Sequence, residues 1–187
     1  MSAPDLMIGR CAVDIVEVGA HRGRAHELAA IAREQGVTLP EFGRSAAHPA
    51  RLSLCVRPER WLLLTPRAAP GAAAANWQRH VAGAGAAVDL SSGLAAIYLR
   101  GPAVRAVLAR GCRLDLDPGV FVAGYAAATM VAQVSIILAA LGPGYLLLTP
   151  ATTAVHLNEW LESAARAFGP LSHTHPSLAD LIGRELQ

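Results

Sequence analysis

A chain of 187 residues has room for one ordinary domain, or for two small halves sharing a core. Its 53% hydrophobic and 16% charged residues exclude disorder, which requires the opposite balance. The net charge is +2, and every Lys/Arg position is arginine. These arginines are scattered (Arg22, Arg24, Arg33, Arg57, Arg60, Arg100, Arg105, Arg110), whereas nucleic-acid binding calls for a clustered basic stripe with interleaved aromatics.

The N-terminus, Met1-Ser-Ala-Pro-Asp-Leu6, carries an acid and no long apolar stretch, so it is not read as a signal peptide. Cys11–Val18 reads as a strand ended by Gly19. Arg24–Gln35 reads as a helix, with Leu28 and Ile31 on its apolar face and Gly36 as the stop. Arg51–Val56 and Trp61–Thr65 read as a hairpin about Arg57-Pro58-Glu59-Arg60, and Pro66 ends it. Ala72–Val81 is a closing helix, and Gly83-Ala-Gly85 a joint.

The same order then repeats. Ala95–Arg100 is a strand, and Gly101-Pro102 opens a helix over Ala103–Arg110 that ends at Gly111. Thr129–Ala140 and Tyr145–Thr149 read as a hairpin across Gly142-Pro143-Gly144. A helix capped by Thr152 or Thr153 runs to Phe168, closed by Gly169-Pro170. Trp61-Leu-Leu-Leu-Thr-Pro66 and Tyr145-Leu-Leu-Leu-Thr-Pro150 are 84 residues apart (145 − 61), and Ile15 and Ile97 open segments 82 apart (97 − 15). We read one domain of two pseudo-repeats, about 11–82 and 88–169, plus a tail over 170–187. The fold class is α+β: duplicated β-α-β-β-α units with helices on mainly antiparallel sheet. In the tail, Leu171–Pro176 reads as a loop. Ser177–Leu186 reads as a short amphipathic helix (Leu178, Leu181, Ile182) that covers its own core or docks on a partner.

The search for chemistry is mostly negative. Cys11, Cys55 and Cys112 are odd in number and form no CxxC, which fits free buried thiols in a reducing cytoplasm. His173-Thr-His175 has metal-ligand spacing on a strand, but only Asp180 stands near it in sequence. His21-Arg-Gly-Arg-Ala-His26 is a candidate anion cradle at a helix start, or simply a polar turn. Ser91 and Ser92 in Asp89-Leu-Ser-Ser-Gly93 do not form a nucleophile elbow, and an Asp89-stabilised turn explains the segment. Cys112 follows a helix C-terminus, where the dipole does not favour a thiolate. Asp115 and Asp117 are spaced as a possible acid–base pair on one extended face. No GxGxxG or Walker A motif occurs. The apolar stretch Ala126–Leu148 is broken by Gln133 and Gly142-Pro143-Gly144, short of the ~20 residues a membrane span needs. No catalytic or metal residue is assigned, and cofactor contacts are left unknown. The apolar surplus points to a surface shared with another protein.

Val88-Asp-Leu-Ser-Ser-Gly-Leu-Ala-Ala-Ile-Tyr-Leu-Arg-Gly-Pro102, followed by Leu108-Ala-Arg-Gly-Cys-Arg-Leu-Asp-Leu116, resembles the sarcosine oxidase gamma subunit family. Phe121, Gly124, Thr129, Trp160-Leu161 and Pro58-Glu-Arg-Trp-Leu-Leu-Leu64 extend the resemblance over about Cys11 to Phe168. The chain departs from the family at Ala126 and Ala128, and at Thr149-Pro150-Ala151-Thr152. The resemblance implies a fold similar to the folate-binding region of aminomethyltransferases. It also implies a non-catalytic, cytoplasmic subunit of a heterotetramer that oxidatively demethylates sarcosine or a related amino acid. No cofactor is then expected on this chain; FAD, FMN, NAD, zinc and tetrahydrofolate belong on the alpha-, beta- and delta-like partners. Neither nucleic acid nor membrane is expected as a partner. The alternatives are a folate-dependent aminomethyltransferase-like protein, with Asp89, Asp115 or Asp117 holding the pterin or a transferring amine, and a standalone scaffold.

Overall fold

The structure, a computed structural model, describes residues 6–142 and 144–182. The N-terminal expectation for Met1–Asp5, the turn residue Pro143 and the tail beyond Ile182 lie outside that range.

The strands are β1 (Leu6–Cys11), β2 (Val13–Ala20), β3 (Arg44–His48), β4 (Arg51–Arg57), β5 (Arg60–Pro66), β6 (Gly85–Asp89), β7 (Leu94–Arg100), β8 (Ala126–Val131), β9 (Val134–Leu141), β10 (Gly144–Pro150) and β11 (Leu171–Thr174). The helices are α1 (Ala25–Glu34), α2 (Ala72–Val81), α3 (Val104–Ala109), α4 (Ala154–Ala165) and α5 (Leu178–Ile182), with 3-10 turns at Ala151–Thr153 and Arg166–Phe168. One sheet runs β3-β4-β5-β2-β6 and the other β11-β1-β7-β10-β9-β8. All described pairings are antiparallel except β1 with β11.

Alternating side chains separate three apolar layers. On β5, Leu62 and Leu64 face the other sheet, while Trp61 and Leu63 pack with Leu28, Ala74 and Trp77 of α1 and α2. On β10, Leu146 and Leu148 enter the same inter-sheet core, while Tyr145 and Leu147 pack with Val107, Leu157 and Leu161 of α3 and α4. The result is helices, sheet, sheet, helices. Burial on both faces explains why Trp61–Leu64 and Tyr145–Leu148 are apolar at every position rather than alternating.

The two halves share a strand order, β3-β4-β5-β2 in one sheet and β8-β9-β10-β7 in the other. Register corrects the sequence alignment by one residue. Ile15 pairs with Leu64, and Ala96, not Ile97, pairs with Leu148. One residue is enough to turn a side chain over: Ile15 faces the inter-sheet core and Ile97 the helices. The strands that precede each half are exchanged. β1 leads into β2 but pairs with β7, and β6 leads towards β7 but pairs with β2.

At the opposite edges the halves meet again. Arg44 of β3 bridges Tyr125, Ser45 N donates to Gly124 O at 2.8 Å, and Ala126 N donates to Gly43 O at 2.9 Å. Gly43 and Gly124 have φ of 79° and 89°, conformations that glycine adopts without steric cost. The Arg44 guanidinium lies 3.7 Å from the Tyr125 ring centre.

Several sequence expectations are corrected. Cys11–Val18 is two strands, parted at Ala12 because β1 belongs to the other sheet. Thr129–Ala140 is a hairpin of β8 and β9, turned at Ala132 and Gln133 with φ of 51° and 64°. Leu171–Pro176 contains β11, stabilised by parallel pairing with β1. β3 and β6 were not expected; they are short, and rich in alanine or polar residues. The tail does cover its own core, because Leu178, Leu181 and Ile182 are buried between the sheets.

Candidate functional site

The Asp89–Gly93 turn sits where the exchanged strands cross. Asp89 Oδ1 accepts from Ser91 N at 2.8 Å, and Ser91 Oγ accepts from Ile15 N at 3.0 Å. Leu90 N donates to Ile15 O at 2.8 Å. Hydrogen bonds from Ser91 hold the Asp89 carboxyl below its usual range. The segment is the Asp89-stabilised turn expected from the sequence, and it also serves as a clasp that ties the start of β7 to β2.

Beside it lies a pocket of about 380 Å³, bordered by Arg10, Cys11, Arg67, Ser91, Ser92 and His175. Arg67 Nη2 donates to Val13 O at 3.0 Å, and its Nε lies 3.7 Å from buried Asp14. Asp14 Oδ2 also accepts from Ala68 N at 2.9 Å. The polar lining, two guanidinium groups with hydroxyls, is suited to a small anion. Among the described residues that border it, neither Ser91 nor Cys11 is an activated nucleophile. Ser91 Oγ is engaged by the Ile15 backbone, and burial, reinforced by Asp180, pushes the Cys11 thiol up to about 11.

The Cys11 shift has two measurable consequences. At about pH 8, a thiol reagent modifies half-buried Cys112 first, and buried Cys11 and Cys55 react only on unfolding. Early reaction of Cys11 contradicts this. Folding also keeps a proton on Cys11 that the unfolded chain loses above its ordinary value of 9.0. Its contribution to stability is thus complete below pH 9.0 and lost as pH rises towards about 11.

The remaining candidates are dispersed. His173 lies 3.8 Å from Glu162, whereas His175, past the end of β11, borders the crossover pocket, so the pair is not held on one face. Among the described residues, no group of three or more His, Cys, Asp or Glu gathers as a metal site. The His21–His26 segment does not form an anion cradle. Arg24 is occupied by Glu27 (Nη2 to Oε2, 2.6 Å) and by the Gly83 carbonyl. Asp115 and Asp117 each accept from the backbone two residues on, at 2.9 and 2.8 Å, making successive exposed turns. Their loop is anchored by Leu116 and Phe121 in the helix-side core, while Leu90 beside Asp89 packs between the sheets, so these acids do not converge. Gly111 has a packing reason: a Cβ there would lie 2.6 Å from the Trp160 ring. No local sequence signal marks Arg10 and Arg67 as lining residues, because only long-range strand pairing brings them beside Ser91 and Ser92. Among the described residues, no helix is long and apolar enough to cross a membrane.

The architecture has solved counterparts. A chain of the heterotetrameric sarcosine oxidase from Corynebacterium sp. U-96, in complex with pyrrole 2-carboxylate, matches 100% of this chain over 91% of its own length, with a TM-score of 0.77 and 22% identity. The two share a fold. The glycine cleavage system aminomethyltransferase T from Bartonella henselae matches 96% of this chain with a TM-score of 0.67 and 16% identity. This chain spans 50% of that aminomethyltransferase. The sarcosine-oxidase and aminomethyltransferase likeness expected from the sequence is thus present in the fold. No protein-family model matches the sequence, and no curated protein sequence matches it.

Proposed function

We propose that this chain is a non-catalytic, gamma-like subunit of a sarcosine oxidase-type heterotetramer. The observation that carries the reading is the end-to-end match to a chain of such an oxidase. That matched chain is close to this one in length, since the match takes in all of one and 91% of the other. The sequence motifs from Val88 to Leu116 point the same way, and the structure gives several of them structural work: the Asp89 clasp, the Gly111–Trp160 contact and the Leu116 anchor.

In this proposal alpha-, beta- and delta-like partners carry FAD, FMN, NAD, zinc and tetrahydrofolate. They oxidise sarcosine or another N-methyl or secondary amino acid. This chain contributes packing surface in the cytoplasmic assembly. The test is affinity purification of the tagged chain from its native host, with mass spectrometry and a flavin absorbance scan. The expected result is co-purification of flavin- and NAD-binding chains, with oxidase activity on an N-methyl amino acid. A colourless chain recovered alone overturns the proposal.

A further inference from the structure

The duplication makes one difference between the halves informative. In the second half, the strand-ending Leu-Thr-Pro is closed. Thr149 is fully buried, its hydroxyl lies 3.1 Å from that of Thr153, and Pro150 runs directly into the 3-10 turn before α4. In the first half, Pro66 is followed by the link Arg67–Gly71 before α2, and the same place is open. A pocket of about 380 Å³ remains there, within the size range of small-molecule sites. Val37, Leu63, Ala73 and Trp77 supply apolar walls.

The polar lining includes donors with spare capacity. Arg51 Nη1 donates to Gln35 O at 2.7 Å, at the carbonyl end of α1, and among the described residues Arg51 makes no salt bridge. Asn76 Oδ1 is taken by Arg79, which leaves its amide N–H groups available. Thr65, the counterpart of Thr149, is half-buried and makes no side-chain hydrogen bond among the described residues. Among the described residues, no acidic residue borders the pocket.

We infer that this pocket binds a small monocarboxylate with a compact aromatic or branched apolar body. The apolar part lies against Trp77 and Leu63, and the carboxylate accepts from Arg51, Asn76 and Thr65. A charged acceptor on guanidinium makes the stronger kind of hydrogen bond, and an apolar wall beside it selects against small inorganic anions.

The probe is phenylacetate, titrated into the full ¹⁵N-labelled chain and followed through the indole resonances of Trp61, Trp77 and Trp160. The expected result is a saturable shift of the Trp77 resonance alone. Arg51→Gln weakens phenylacetate about tenfold, and leaves binding of uncharged benzyl alcohol unchanged. Ala73→Leu, which fills the pocket, abolishes both; should that variant not fold, Ala72→Leu on the same helix serves. No indole shift up to about 10 mM phenylacetate, or equal binding by the filled variant, overturns the assignment.

Discussion

Leu181→Ala lowers the stability of the isolated chain by about 3 kcal/mol, within the range for emptying a buried leucine site. Leu181 is 0% exposed and belongs to the core between the two sheets, together with Leu54, Leu64, Leu146 and Leu148. For a chain of this size, that loss lowers Tm by roughly 6–12 °C. The helix that carries it is short, from Leu178 to Ile182, and has little intrinsic stability in water. Ser177 and Asp180 join its first turn, with Ser177 N donating to Asp180 Oδ2 at 2.9 Å. Packing therefore has to hold the helix in place. Differential scanning calorimetry on the purified chain decides the matter. A shift below about 2 °C would mean that α5 does not cover the core in solution, and that its apolar face serves a partner instead.

Gly85→Ala destabilises by about 2–3 kcal/mol, through overpacking rather than cavity formation. A Cβ on Gly85 would collide with the Gly19 carbonyl oxygen and lie 3.3 Å from its carbon and 3.4 Å from Leu28 Cδ1. Two of these obstacles are backbone, held by the β2–β6 ladder in which Gly19 and Ala20 pair with Ala86 and Gly85. Relief requires β6 to separate from β2 at that end. Urea unfolding should show a lower midpoint with an unchanged slope, and hydrogen exchange should speed up at the β6 amides. Wild-type stability in this variant would refute the close approach.

What could be read in the sequence follows from how many side chains announce each element. α2 was expected and found over Ala72–Val81, and the β4–β5 hairpin turns at Pro58-Glu59, with a positive φ at Glu59. Trp61–Pro66 and Tyr145–Pro150 are recognisable as equivalent because burial on both faces makes Trp61–Leu64 and Tyr145–Leu148 apolar throughout, and each run ends in Thr-Pro. The β8–β9 turn was silent. Ala132 and Gln133 adopt left-handed conformations that usually select glycine or asparagine, so no turn signal is written there. β11 was silent for another reason: its four residues, Leu-Ser-His-Thr, become a strand only because β1 lies beside them. The pocket beside Asp89 was hidden in the same way. Asp89 and Ser91 stood out locally, but Arg10 and Arg67 reach that place through long-range pairing.

The exchange of β1 and β6 also sets an order of events during synthesis. β1 is the first described strand to emerge, yet its partner β7 begins at Leu94 and its other neighbour β11 only at Leu171. At about 5–20 residues per second, the ribosome leaves Leu6–Cys11 without its sheet for several seconds at least. Meanwhile β2, β3, β4 and β5 are complete and adjacent in sequence, so the first half can assemble while its leading strand waits. A nascent chain arrested before Leu94 therefore carries an unpaired apolar strand, open to pairing with a neighbouring copy on the same polysome. That exposure lessens once β7 clears the exit tunnel, and the second edge of β1 is covered only when β11 follows.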